Sequence, residues 1–446
     1  MNRETIEGLI DDCSKAVNSP DLTYLSLAKA VKEACDIKKL GNNNFYCKYG
    51  LIKKEEIQKI MLNALKEKVN QKDIKTLIQN SFFILDVDSY DEEGFSEILK
   101  PNIIPVKNGV IEIHNNDVIY KQEFTSTPYR LPINYNPNAP RPTHFLKWID
   151  ELFMPEDVKG FQEYLGYCLV PTKKAQKMLL LLGNGGEGKS IVGIVLRALL
   201  GVACVDTEVK ALIDKDFTLQ TLEYKLVAYQ DDTSKEGIQK SDIFKKIVSN
   251  ETPMMIEKKF IDKYESFIYS KLIACSNYPL IAKDDDGDGF FRRIYPIKVK
   301  PKSKTRINIA DYHLPILNEL EGVFNWCLEG LLRLMKNDFK FSESKRSSQM
   351  LNEMKQDVDT VKCFIDDMVI FDNVSKIDAG DIYKAYRLYC VSNGFLSKET
   401  LTQTKLTAKL TNIAEEYGFK RTRGENSYNA FVGIKLKVSE SNNGGN

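Results

Sequence analysis

The sequence predicts a multidomain α/β protein. A nucleotide-binding domain on a central parallel sheet follows a helical N-terminal region and precedes a small unit of helices with a basic hairpin. Three observations carry the prediction. Residues 178–190, MLLLLGNGGEGKS, set a glycine-rich loop between an apolar run and a helical pattern. Four further short runs, Val202–Asp206, Lys225–Gln230, Lys271–Ser276 and Ile294–Val299, are separated by helical patterns, which is how a parallel α/β sheet reads. Beyond residue 360, helices give way to two strand-like segments rich in lysine and arginine.

In chain order, residues 1–104 mix charge with apolar residues at helical spacing, as over Lys53–Lys68, and predict a mostly helical domain without a chemical motif. Leu85–Gly94 is acidic and turn-rich. Residues 105–165 read as a connecting region: a hairpin in PVKNGVIEIHNND, a proline-rich extended link in YRLPINYNPNAPRP, then helices over Phe145–Leu152 and Val158–Leu169. Residues 166–340 are the expected nucleotide-binding domain, closed by helices over 314–337. Asp338–Gln356 is polar and reads as a linker, 356–440 as the second unit and 441–446 as a disordered tail.

Composition narrows the chemistry. The 446 residues hold 63 Lys+Arg against 62 Asp+Glu, so any nucleic-acid contact must come from local charge. Nine scattered cysteines (13, 35, 47, 168, 204, 275, 327, 363 and 390) contain no CxxC pair, which argues against zinc and for reduced thiols. Only His114, His144 and His313 occur, so a histidine-rich metal site is not expected. The N-terminal MNRETIEGLIDDC lacks the character of a signal peptide, and no apolar stretch reaches membrane-span length.

The loop has P-loop spacing: Gly183, four residues, then Gly188-Lys189-Ser190. Across the loop Gly183, Asn184, Gly185, Gly186, Glu187 and Gly188, the small residues let backbone N–H groups curl around phosphates without Cβ clashes. Lys189 supplies a point charge to the phosphates and the Ser190 hydroxyl a ligand for Mg²⁺. Met178–Leu182 reads as a buried strand, and Ile191–Leu200 as a helix stopped by Gly201 whose N-terminus adds its dipole. The expected ligands are ATP and Mg²⁺.

Three downstream features suit that chemistry. The run Lys225–Gln230 ends in Asp231-Asp232, one to hold the metal and the other to polarise water, in either order. The run Lys271–Ser276 ends in Asn277, whose amide can orient water against the γ-phosphate. Arg292-Arg293 precedes the last strand, where an arginine can reach across a subunit interface. Between these lie Lys258, Lys259 and Lys263, alternating with Phe260 and Tyr264 in a possible hairpin, a pattern suited to single-stranded nucleic acid. Asp284, Asp286, Asp288 and Gly289 imitate the start of an EF-hand loop, but Tyr295 stands where Glu is needed, so a solvated loop is expected. In the C-terminal unit, two helices and a hairpin follow the winged-helix pattern. Lys405, Lys409, Lys420, Arg421, Arg423, Lys435 and Lys437 outnumber Glu415, Glu416 and Glu425, a local excess that can meet duplex phosphates.

This order of motifs resembles the superfamily 3 helicases, and more narrowly the poxvirus, phage and plasmid primase–helicase type, including replication initiator helicases of phages and pathogenicity islands. NGVIEI (Asn108–Ile113), LPINYNPNAP (Leu131–Pro140) and FQEYLGYCL (Phe161–Leu169), leading into the P-loop, extend the likeness over about residues 105–300. The resemblance implies an AAA+ fold and a homo-oligomeric ring, of hexamer type, that hydrolyses ATP and unwinds DNA. One DNA strand would pass through the channel, duplex origin DNA would meet the winged helix, and host replication proteins would be possible partners in a bacterial cytoplasm. It also implies that Lys245 and Lys258 or Lys259 touch DNA, that Asn277 is a sensor and that Arg293, with Arg292 as the alternative, is an arginine finger acting in trans. Asp231-Asp232 departs from the Glu found in many relatives, and no cysteine–histidine cluster precedes the shared region, which argues against primer synthesis. Two other readings fit an ATP site: an AAA+ protein remodeller, and an origin-binding initiator whose ATP acts only as an assembly switch.

Overall fold

The computed structural model describes residues 3–17, 23–40, 44–65, 71–88, 100–124, 126–214, 218–233, 238, 240–249, 252–259, 261–280, 282, 288–302, 311–356, 360–393, 400–414, 417–423 and 429–437. No helix among them is long and apolar enough to cross a membrane. The chain divides into two compact units. One comprises Met1–Ser234, Lys245–Tyr278 and Arg293–Ser348, the other Lys235–Phe244, Pro279–Arg292 and Gln349–Asn446.

The first unit opens with helices Arg3–Ala16, Tyr24–Cys35, Lys54–Leu65 and Gln71–Asp88 and a three-stranded antiparallel sheet of β1 (Lys38–Leu40), β2 (Asn44–Cys47) and β3 (Gly50–Ile52). Thr23 and Ser26 form a reciprocal capping box at the second helix, and Leu27, Val31, Ile57 and Met61 are among its buried core. The sheet is not foreshadowed in the sequence, because each of its strands is only three or four residues long. Next come β4 (Ile103–Val106), β5 (Gly109–His114) and β6 (Asp117–Lys121), an antiparallel meander. Arg130 ties the two sheets together by donating to the carbonyls of Lys48, Val106 and Gly109.

The centre of this unit is a five-stranded parallel sheet: β7 (Met178–Leu182), β8 (Cys204–Asp206), β9 (Val227–Gln230), β12 (Lys271–Ser276) and β13 (Ile294–Lys298), in the order β13-β7-β12-β9-β8. Strands β7, β9 and β12 are buried along their whole length, as expected of strands covered on both faces. Their register decides where the loops emerge. Ser276 stands opposite Leu182, and Ala274 opposite Gln230, so residues after β7, β12 and β9 leave side by side from one end of the sheet. Helices Pro155–Tyr167 and Leu320–Lys336 buttress it and approach closely at Gly166 and Gly330; a Cβ at either would fall within 2.4 Å of the other helix's backbone. An antiparallel pair, β10 (Met254–Lys258) and β11 (Ile261–Ser266), is inserted between β9 and β12.

The polar stretch Asp338–Gln356, expected to be a linker, is instead ordered. Ser342 and Arg333 donate to buried Glu163, and Ser344 and Arg346 to buried Asp157. Ser347 Oγ donates to the Pro296 carbonyl at 2.5 Å, and Lys345–Gln356 is helical. Partners far away in sequence hold this segment, so its own polarity conceals the order.

The second unit runs helix Thr360–Met368, β14 (Val369–Asp378), helix Ala379–Ser392, helix Gln403–Ile413, β15 (Lys420–Arg423) and β16 (Asn429–Leu436). The strands form an antiparallel sheet ordered β14-β16-β15 around a core that includes Phe364, Tyr386, Leu406 and Phe431. Strand β14 is additional to the two strands read from sequence. It interrupts its pairing between Phe371 and Lys376, where Asp372 accepts from the Val374 and Ser375 amides.

Candidate nucleotide-binding site

The P-loop leaves the C-terminal end of β7 and enters helix Ser190–Leu200. Gly183 N–H donates to the Ser276 carbonyl at 3.0 Å, tying the start of the loop to the end of β12. Gly185, Gly186 and Gly188 all have φ between +77° and +101°, which residues with a Cβ rarely adopt. Gly183 leaves room instead: a Cβ there would lie 2.6 Å from Lys189 Nζ, 2.8 Å from Val299 Cγ2 and 2.9 Å from Glu187 Oε1, so these side chains would have to shift. The turn folds inward on two buried charges. Lys189 Nζ lies 2.9 Å from Glu187 Oε2 and 3.5 Å from Asn277 Oδ1. The Glu187 carboxylate also accepts from the Asn184 amide and, at 3.0 Å, from the Gly185 amide. Burial pushes its pKa up, but Lys189 and the backbone donors outweigh burial and hold it below the usual carboxylate range. The loop's donors therefore already converge on an anionic group, the chemistry a phosphate requires. Ser190 is exposed at the start of the helix.

The helix lies hard against β9. A Cβ at Gly193 would sit 2.2 Å from the Tyr229 ring, so only glycine fits there. Tyr229 Oη donates to Asp231 at 2.8 Å; burial first, then Cys275 and Asp231, raises the tyrosine pKa and keeps the phenol neutral. Asp231 and Asp232 are exposed beyond β9. Gln230 braces this tip by donating to the Asp232 carbonyl and accepting from Val209 N–H. Thr233 ties it to β12 through two hydrogen bonds to the Cys275 carbonyl. No cluster of three or more metal-ligating side chains occurs among the described residues.

The predicted site residues separate into groups. Gly183 to Ser190 and Asn277 come together, with Asp231 and Asp232 on the tip of the strand next to β12. Arg293 does not join them. Ile294 pairs with Met178, so Arg293 lies at the opposite end of β7, about 16 Å away along a five-residue strand. Its Nε donates to Ser249 Oγ at 2.9 Å. Arg292 is exposed.

Lys258 closes β10 but turns back, ion-paired to Glu223 at 2.5 Å and 5.0 Å over the Tyr264 ring. Tyr264 Oη donates to the same carboxylate at 2.7 Å. Lys263 pairs across the hairpin with Glu257, and Lys259 is exposed at the turn, while Phe260 lies outside the described residues. Lys245 is half-buried on helix Ser241–Ser249. In the second unit Lys405, Lys420, Arg421 and Arg423 are exposed and Lys409 is half-buried; Arg421 donates to Asn429 Oδ1. Residues 424–428, Asp284–Gly287 of the aspartate run and 441–446 lie outside the described residues. Sequence reasoning missed Gly193, Tyr229 and Glu223, which become visible only once strands and helices are paired. The inward turn of Glu187 has no sequence signal either.

A family model described as "Family of unknown function (DUF5906)" matches residues 181–293. No curated protein matches the chain. The A-form apo structure of the NrS-1 C-terminal region is similar in fold: TM-score 0.51 at 12% identity, covering 93% of this chain and 100% of that one. Two other structures of that region, an apo form of residues 305–718 and a second A-form structure, give TM-scores of 0.44 and 0.46 at 14% identity. The first covers 75% of this chain and 96% of its own, the second 92% and 100%.

Proposed function

We propose that this chain is an ATP-driven DNA helicase that assembles as a ring and serves replication of a mobile genetic element. One observation carries the reading: at the ends of adjacent parallel strands, a glycine loop presents backbone N–H groups and Lys189 to an anion, with Asn277 alongside. In this reading the amides of residues 184–188 and the Lys189 ammonium hold the ATP phosphates. Ser190 and Asp231 would hold Mg²⁺, which neutralises phosphate charge. Asp232 accepts a proton from the attacking water, Asn277 orients that water, and Asp231 in turn is held by Tyr229. Because Arg293 lies away from its own P-loop, it serves a neighbouring subunit's site.

The β10–β11 hairpin carries the DNA contact through Lys259 and Lys263, with Lys258 held by Glu223. The order helix, strand, helix, helix, strand, strand in the second unit is that of a winged helix, whose exposed Lys405, Lys420, Arg421 and Arg423 would bind duplex phosphates. The reading is tested by measuring ATP hydrolysis and forked-duplex unwinding for wild type and Lys189→Ala. Both activities in wild type and neither in the variant are expected. Unwinding that persists in Lys189→Ala, or turnover stimulated by unfolded protein and not by DNA, overturns it.

A further inference from the structure

The arrangement of the P-loop goes beyond nucleotide binding as such. The Glu187 carboxylate is only 2% exposed although its residue belongs to a surface loop. It takes three donors at once: the Asn184 amide, the Gly185 amide at 3.0 Å and the Lys189 ammonium at 2.9 Å. Two backbone amides and an ammonium converging on paired oxygens is the grip a P-loop uses on a phosphate. A carboxylate and a phosphate cannot both occupy it.

The backbone around Glu187 is suited to release it. Gly186 and Gly188 flank the residue at φ +77° and +95°, and a Cβ at Gly186 would meet nothing closer than a lysine methylene at 3.7 Å. Glycine on both sides leaves the peptide free to rotate with little steric cost. Outside the grip, the carboxylate would face water next to the exposed residues 184–186.

We infer that Glu187 is an affinity-setting residue: its carboxylate competes with the nucleotide's phosphates for the loop and must be expelled before ATP binds. The inference rests on the proposed ATP site and concerns its regulation. The competitor is built into the chain and is present at fixed effective concentration, so it raises the nucleotide level at which the site fills. A polyphosphate prevails because it brings more charge and more acceptor oxygens to the same donors.

The experiment titrates full-length wild type, Glu187→Ala and Glu187→Gln with Mg·ATP, inorganic pyrophosphate and adenosine, with circular dichroism to check folding. Both variants are expected to bind Mg·ATP about tenfold more tightly than wild type, about 1.4 kcal/mol. Pyrophosphate should gain in parallel and adenosine should not, because the competition is for the phosphate grip alone. Glu187→Gln keeps the side chain's size, so it carries the test if Glu187→Ala folds poorly. Wild-type ATP binding with equal or weaker binding by both variants shows that Glu187 organises the loop; the inference then falls and the proposed function stands. Failure of every protein to bind ATP or pyrophosphate removes both.

Discussion

Lys271 opens β12, and its side chain is wholly buried at the end of the sheet away from the P-loop. Its amine donates to the Val170 carbonyl and lies 4.8 Å over the Tyr167 ring, with no carboxylate partner among the described residues. Burial, reinforced by nearby Lys173, pushes its pKa down to about 7. Lys173 is also pushed down to about 7 by burial and finds no hydrogen-bond partner among the described residues. The sign follows from proton counting. Between the folded pKa and the ordinary 10.5, the unfolded chain keeps a proton that the folded chain has released, so stability rises with pH. The gain ends above the unfolded pKa, and the full penalty remains below the folded one. Each lysine contributes a slope of about 1.4 kcal/mol per pH unit inside that window. Lys271→Met keeps an apolar side chain of similar length and removes the titration. The variant should be more stable than wild type at pH 7, and its advantage should shrink by about 2 kcal/mol by pH 9. Buried cysteines such as Cys47, raised to about 12 by burial, act oppositely near pH 9, but they are shared by both proteins and cancel in the difference. Urea unfolding at half-unit pH steps measures it. A wild-type-minus-variant difference that stays flat from pH 7 to 9 refutes the argument.

Three other outcomes follow from the same structure. Glu163→Ala leaves Arg333 and the Ser342 amide without their buried acceptor and should cost about 3 kcal/mol in urea unfolding; a loss below about 1 kcal/mol would show that water replaces the carboxylate freely. Gly193→Ala drives a methyl into the Tyr229 ring and should cost about 1–3 kcal/mol, recovered in large part by Tyr229→Leu in the same chain, whereas additive losses would place the clash elsewhere. Arg293→Ala should bind ATP as wild type does yet lose turnover, and mixing it with Lys189→Ala subunits should restore part of the activity, since each supplies what the other lacks; normal turnover by Arg293→Ala alone excludes a finger role.

How much of this was legible depended on how local each determinant is. The P-loop is legible because its requirements are contiguous: a buried strand, glycines with positive φ, a lysine and a helix start within thirteen residues. The strands of the parallel sheet are legible for the same reason, each being an apolar run that needs no knowledge of its neighbour. Strand order is not local. Nothing in the run Lys271–Ser276 says that it lies between β7 and β9, yet that placement is what brings Asn277 to Lys189. The three-residue strands β1 and β3 are too short for any period to register, and the Asp338–Gln356 segment is polar because it answers two carboxylates about 180 residues earlier.

Lys258 shows the same limit at a functional residue. A lysine beside aromatics has the same pattern whether it faces a phosphate or a carboxylate, and Glu223, which decides between them, is 35 residues away across another strand. The pair is set at the last residue of β10, beside the turn, and Tyr264 on β11 is hydrogen-bonded to the same carboxylate. A buried acid holding a lysine on one strand and a tyrosine on the other pins the hairpin to the domain, which is a positioning role rather than a contact. Lys259 at the turn and Lys263 on β11 keep their exposure, so the division of labour within the hairpin follows which lysine is paired with Glu223. Charge reversal separates the roles: Lys259→Glu should weaken single-stranded DNA binding with the fold's stability unchanged, whereas Lys258→Glu should destabilise the domain by setting two carboxylates together. Equal effects of the two substitutions on stability would dissolve the distinction.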